Sequence, residues 1–320
     1  MATRHKISIK LLLGELAALA YIGIIVGIAK WSAISYVLFP ELAALAYDIF
    51  VRPDGAWAKA PVMLVATPVL AAVAGILIER QFGYGAESVA LSIAASLLII
   101  KLLKSPIAPA LSAGLLPVVL NEGSLLYPAA ILFGTGLLAI SSFFYRQQYA
   151  KRAATIPASL NADVMELPSA QYAWVPFFLA FLGVAYLLVD LSGWRFIMFP
   201  PLVVIAFEMF AHHNVCPWTE KPFRLVIACM LTATAGFAAV AIIGTGPLAA
   251  ILVVAVSVAV VRAATLHLPP AVAIGLLPFV IPHPDYRFPL AVGAGTLTLL
   301  ALFMPWRVWA RSAGNLRPPL

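Results

Sequence analysis

Charged side chains are scarce in this chain. Asp, Glu, Lys and Arg together make up 10% of its 320 residues, against roughly 25% in a soluble domain. Cysteine is rarer still: Cys216 and Cys229 are the only two. They have neither a partner pattern nor metal-ligand spacing, so both read as free thiols, and a disulfide scaffold is excluded. No Gly-rich phosphate loop, Ser/His/Asp arrangement or paired-carboxylate motif occurs. Nothing therefore points to an enzyme or to a cofactor. His212, His213 and Cys216 resemble metal ligands only superficially, since no second cluster accompanies them, and no metal is expected.

What the chain does have is apolar surface. Hydrophobic residues make up 63% of it, and the mean hydropathy is +1.01. So little polar surface cannot clothe a water-facing particle of this size, so the solvent must be lipid. The net charge of +7 then reflects basic cytoplasmic loops and not a nucleic-acid partner.

A helix needs roughly 20 apolar residues to span the hydrocarbon core. Candidate segments fall near 11–29, 33–50, 62–78, 86–103, 107–120 and 126–145. After a polar stretch come six more, near 173–191, 194–211, 223–243, 247–266, 269–281 and 288–304. The fifth segment of each set is short and proline-rich, and reads as a broken or half-inserted helix. Arg4, Lys6 and Lys10 precede the first segment and no small-residue cleavage site follows it, so it reads as a retained span.

The two sets match. YVLFPELAALAYDIF (36–50) aligns with FIMFPPLVVIAFEMF (196–210) at an offset of 160, and from Trp57 onward the offset is 161 without a gap to Arg146/Arg307. Those 90 positions hold 26 identities, among them Trp57/Trp218, Gly75/Gly236 and Pro128/Pro289. Shared apolar composition explains matched Leu and Ala, but not matched Trp, Gly and Pro. The expected organisation is transmembrane repeat 1 over 1–146, a polar cytoplasmic linker over 147–172, transmembrane repeat 2 over 173–307 and a basic tail over 308–320.

Orientation follows from the distribution of basic residues. With six crossings per repeat, 16 Lys and Arg fall on the side of the N-terminus, linker and C-terminus, and 4 on the other. With five crossings the split becomes 11 to 9. The expectation is an all-α polytopic membrane protein with parallel repeats, related by a pseudo-two-fold along the membrane normal, and with both termini cytoplasmic. Four true spans per repeat, with the second and fifth segments both re-entrant, also give an even count. One chain would do the work of a homodimer, alone or in a larger homo-oligomer.

Each repeat is interrupted twice by proline: at Pro40 and its partner Pro200 in FPE and FPP, and at Pro109 and its partners Pro269 and Pro270. Such backbone defects survive in lipid only when buried in protein or lining a cavity, and paired breaks in two halves point to a transport site. The helix opened by Pro269-Pro270 would present free amides and a positive dipole end, which favours an anion. His267 sits just before that helix and Arg262 one to two turns earlier; Lys101 matches Arg262 in the first half. Glu41 follows Pro40 in mid-segment, where an ionisable residue is costly and marks a functional site. Asp48 and Glu208 match each other near segment ends, where solvated carboxylates are ordinary.

HLPPAVAIGLLP (267–278), preceded by FPPLVVIAFEMF and CPWTEKPFR, resembles the HPP family of integral membrane proteins, named for a His-Pro-Pro motif. Here Leu268 separates His267 from the prolines, the first half lacks the histidine, and the unit occurs twice. The resemblance implies passage of a small anion such as nitrite, carried onto His267, Pro269, Pro270 and, through the internal match, Pro109. The expected function is a transporter or channel for a small inorganic anion, resting where the broken helices of the two repeats face each other. A carrier of a neutral or weakly acidic solute, and a membrane scaffold or lipid-processing enzyme, are the alternatives. The bilayer and a small solute are the expected partners.

Overall fold

The computed structural model describes residues 9–152, 172–213 and 216–312. Among these residues the chain is all helical, with no strand. The helices are α1 (Ile9–Ser32), α2 (Glu41–Val51), α3 (Pro61–Phe82), α4 (Ala86–Leu103), α5 (Ala110–Leu120), α6 (Leu126–Arg152), α7 (Val175–Ser192), α8 (Pro200–Ala211), α9 (Pro222–Ile242), α10 (Pro247–Ala263), α11 (Pro269–Leu276) and α12 (Arg287–Ser312). Seven are long and apolar enough to cross a membrane: α1, α3, α4, α6, α7, α9 and α12. α10 is shorter, at 17 residues. This is an integral membrane protein by the length and composition of its helices.

Long and short helices differ in burial. The long ones leave large apolar side chains uncovered, such as Leu16 and Ile24 on α1 and Phe223, Ile227 and Leu231 on α9. In water such a surface would aggregate; in lipid it is solvated. The four short helices lie inside. Residues 41–50 of α2, 110–119 of α5 and 269–279 in and after α11 are all buried, and α8 is buried except at Glu208. Eleven residues rise about 17 Å, little more than half of the roughly 30 Å hydrocarbon core. These elements form a core of half-length helices wrapped by full-length ones.

Proline sets where the short helices begin. Pro40 and Pro109 immediately precede α2 and α5, Pro200 opens α8 and Pro269-Pro270 open α11. Proline lacks the N–H that an opening residue leaves unbonded anyway, and it drives the preceding residue out of the α region. Phe199 obeys, with φ −70° and ψ 143°. The second apolar segment of each half, expected to be interrupted at its proline, is accordingly α-helical only from that proline on. Upstream lie short 3-10 turns at Ser35–Val37 and Arg195–Met198.

The non-helical stretch before α5 is held by hydrogen bonds centred on Ser105. Before α5, Ser105 N donates to Ile100 O, Thr67 Oγ1 donates to Ser105 Oγ at 2.7 Å, and Ile107 N donates to Ser105 Oγ at 3.2 Å.

Glycines let helices touch. A Cβ on Gly75 would strike the Gly114 carbonyl, so α3 lies directly on the α5 backbone; Gly236 of α9 stands in the same relation to Gly275 of α11. Arg146 Nη1 donates to Ala58 O at 2.8 Å and Arg307 Nη1 to Thr219 O at 2.7 Å. Between the first six helices and the last six, α2 packs on α11 and α5 on α8, while α8 packs on α11 within the second half. α1 packs on α10 through Gly23 and Gly27, which face Ile251 and Pro247, the close approach that small residues permit between membrane helices.

α6 continues through Arg152, so the polar linker begins as helix, and α12 carries the tail to Ser312. The rest of the linker (153–171) and of the tail (313–320), with Arg4, Lys6 and Arg317, lies outside the described residues.

Candidate functional site

Ionisable side chains gather where α1 begins and α2 and α10 end. The last turns of α2 present Tyr47 and Asp48, and Arg52 follows four residues after Asp48, the spacing that brings helical side chains together. Arg52 Nε donates to Asp48 Oδ1 at 2.9 Å. Past the end of α10, Thr265 takes a left-handed conformation with φ 53°, and the chain turns back into the bundle. That turn carries His267 onto α2. Its Nε2 lies 2.7 Å from the same Asp48 oxygen, and its ring stacks on Tyr47 with centroids 5.4 Å apart.

Beside this group Arg262 Nη2 donates to Glu15 Oε2 of α1. Lys221 and Arg224, around the start of α9, brace the turn. Lys221 Nζ donates to Thr265 O and Oγ1, and Arg224 Nη1 to Ala264 O and Thr265 Oγ1. Cations at a helix C-terminus satisfy its last carbonyls and its dipole.

Two carboxylates thus meet two guanidinium groups, with His267 adding positive charge only when protonated. Asp48 is 1% exposed, which corrects the solvated carboxylate expected from its place near a segment end. Arg262 and His267 are held by acids of the other half, Glu15 and Asp48, while Arg52 is held by Asp48 of its own half. Some capacity is left over, since Arg262 Nε, Glu15 Oε1 and Asp48 Oδ2 have no hydrogen-bond partner.

His267, two residues ahead of α11, touches the end of α2, and α2 packs along α11. The start of α11 therefore lies beside the end of α2, and the two run antiparallel. Pro269-Pro270 and Pro40 sit at opposite ends of this contact, and all three are buried.

A second polar place lies deeper. Glu41, the first residue of α2, is 1% exposed, and neither carboxyl oxygen has a hydrogen-bond partner. Ser112 in the first turn of α5 stands beside it, its Oγ also without a partner. Tyr127 of α6 is close by and donates its hydroxyl to Ala113 O at 3.0 Å.

The residues singled out from sequence thus separate into groups. Arg262 and His267 join the inner charged cluster. Pro40 and Glu41 lie near the start of α5, which Pro109 precedes. Pro200 opens α8 against α5. Lys101 stands apart on the exposed end of α4, its ammonium 5.4 Å from the Tyr172 ring centroid. Sequence reasoning missed Glu15, Tyr47 and Arg52. The Asp48/Arg52 spacing was the available signal, and Glu15 is a lone acid within an apolar span.

Elsewhere His212 Nδ1 lies 2.8 Å from Glu208 Oε2, and His213 Nδ1 lies 3.2 Å from Phe210 O. Among the described residues no three of His, Cys, Asp and Glu come together to hold a metal ion. Comparison of the chain with family models, curated proteins and solved structures returned no match.

Proposed function

We propose that this chain is a membrane transporter or channel for a small inorganic anion of the nitrite type, made of two tandem HPP-like repeats in parallel orientation. The observation that carries the reading is the buried core of half-length helices, two from each half, packed across the junction as α2 on α11 and α5 on α8. A half-length helix leaves unbonded backbone ends at mid-depth, which lipid does not tolerate unless protein or a solute cavity surrounds them. Transporters use such interrupted helices to meet a solute inside the bilayer.

Duplication is supported by the gap-free sequence register and by contacts that recur at matched positions. Gly75 on Gly114 is repeated by Gly236 on Gly275, and Arg146 on Ala58 by Arg307 on Thr219. The parallel relation is supported by α3 and α9 both starting at the end of the bundle that holds the charged cluster.

In this reading the Glu15–Arg262 and Asp48–His267 pairs close the bundle at one end. An arriving anion competes with the carboxylates for Arg262, His267 and the start of α11. Removing a charged hydrogen-bond donor costs about 1.5–3 kcal/mol. Arg262→Ala should therefore raise the half-saturating anion concentration in liposome flux roughly tenfold or more.

One arrangement favours the second reading, a carrier of a neutral or weakly acidic solute. Lys101 faces outward and Arg262 is committed to Glu15, so neither of these two cations stands free at the starts of α5 and α11. That reading expects uptake insensitive to Arg262→Ala, to Lys101→Ala and to membrane potential. A solute-panel flux assay on purified protein separates the two. Flux of no solute at all would remove the transport reading itself.

A further inference from the structure

Glu41 is placed as an ionised carboxylate in lipid cannot be. A buried carboxylate needs a cation or several donors to offset its lost hydration, and Glu41 has neither: no well-formed hydrogen bond reaches its oxygens, and only Ser112 and its own backbone amide come near. Among the described residues no cation of the surrounding elements acts on it; the lysines of α1 and the arginines of α6 belong to other parts of those helices. From α5 comes Ser112, and from α6 comes Tyr127, whose hydroxyl is engaged by Ala113 O. On α1, Tyr21 donates to Gly134 O, and Glu15 is paired with Arg262 at the far end. α11 is apolar throughout. On α2 itself, Tyr47 and Asp48 lie about two turns away in the charged cluster.

The second half supplies an internal comparison. In the sequence register, Glu41, Ser112 and Tyr127 match Pro201, Ala273 and Phe288. Carboxyl, hydroxyl and phenol are all replaced by groups without a side-chain donor or acceptor. Structural features such as the Gly75–Gly114 contact and the Arg146 bond are kept in both halves. These three polar groups therefore form a set present in one half only.

We propose that Glu41 and Ser112 form a proton-binding site. In the closed bundle the carboxyl holds one proton, which turns an acceptor-only group into an O–H donor, with Ser112 Oγ as its acceptor. The proton comes from water when the bundle opens on one side, by forming the carboxyl O–H bond. It returns to water when that bond breaks in an opening to the other side. No other group changes bonding. The tie between proton and solute movement rests on the transport reading above; the site itself does not.

The test is infrared spectroscopy of the purified full chain in liposomes at neutral pH. Wild type should show the carbonyl stretch of an un-ionised carboxylic acid, shifted in D2O. Glu41→Gln, which mimics the neutral acid in shape and should fold, should abolish it. Asp48→Asn should leave it, because Asp48 is paired. Ser112→Ala should move the band as a hydrogen bond is lost; an unmoved band removes Ser112 from the site. Absence of the band in wild type, or its persistence in Glu41→Gln, overturns the proposal.

Flux under an imposed pH gradient separates this from the transport reading. Coupled uptake should respond to the gradient in wild type and lose that response in Glu41→Gln. A band that Glu41→Gln abolishes, with no flux of any solute, keeps the proton site and removes the transport reading. Flux with no band removes the proton site alone.

Discussion

Glu41 and Asp48 lie seven residues apart on one short helix, are equally buried, and differ in what surrounds them. Asp48 Oδ1 accepts from Arg52 and touches His267, while Glu41 has no cation. Breaking a buried pair leaves the remaining charge without a partner, a cost of several kcal/mol that solvent reduces where the partner is partly exposed. Arg52 is 24% exposed, so Asp48→Asn should destabilise the protein by about 1–3 kcal/mol. Glu208→Gln, at a carboxylate 20% exposed, should cost less. Thermal unfolding of the purified protein in detergent measures both; equal midpoints for the two variants would contradict the ranking. The unusual position of Glu41 could be read from sequence, because a mid-segment acid needs no fold to stand out. That of Asp48 could not: burial near a segment end depends on which other segment covers it, and the covering His267 is 219 residues away.

At the scale of elements, prolines and glycines carry most of the information. Prolines placed the four helix starts, and matched glycines marked where helices touch. Gly75→Ala should therefore destabilise by about 1–3 kcal/mol, since its new methyl would meet Gly114 backbone and not a flexible side chain. Gly236→Ala should behave alike against Gly275. Gly136 on α6, where a Cβ would meet nothing within 4 Å, should accept alanine without loss. Unfolding midpoints of the three variants check this, and a Gly136→Ala loss equal to the others would show that the helix–helix contact does not set the cost. Segment length was read less well. The stretches 33–50 and 194–211 have spanning hydropathy, yet each is helical only beyond its proline. Hydropathy reports burial in an apolar medium, and a protein core is as apolar as lipid.

The whole molecule is ordered as a lipid-facing shell around a core of half-length helices. Cys229 is 0% and Cys216 5% exposed, so neither thiol should react with a polar maleimide in the folded protein. Both should react once detergent denaturation opens the bundle. Labelling at native pH read by intact mass checks this, and modification of Cys229 without unfolding would show that the core opens to water.

The amino-acid sequence by itself determined the solvent, the helical class and the points where helices break. These follow from composition and from the backbone chemistry of proline, which act locally. Tertiary structure alone decided which segments became shell and which core. It also decided that Arg262 and His267 are held by acids of the opposite half while Glu41 is left alone. Those outcomes depend on contacts between residues hundreds of positions apart, and one-dimensional apolar patterning does not encode which apolar surface meets which.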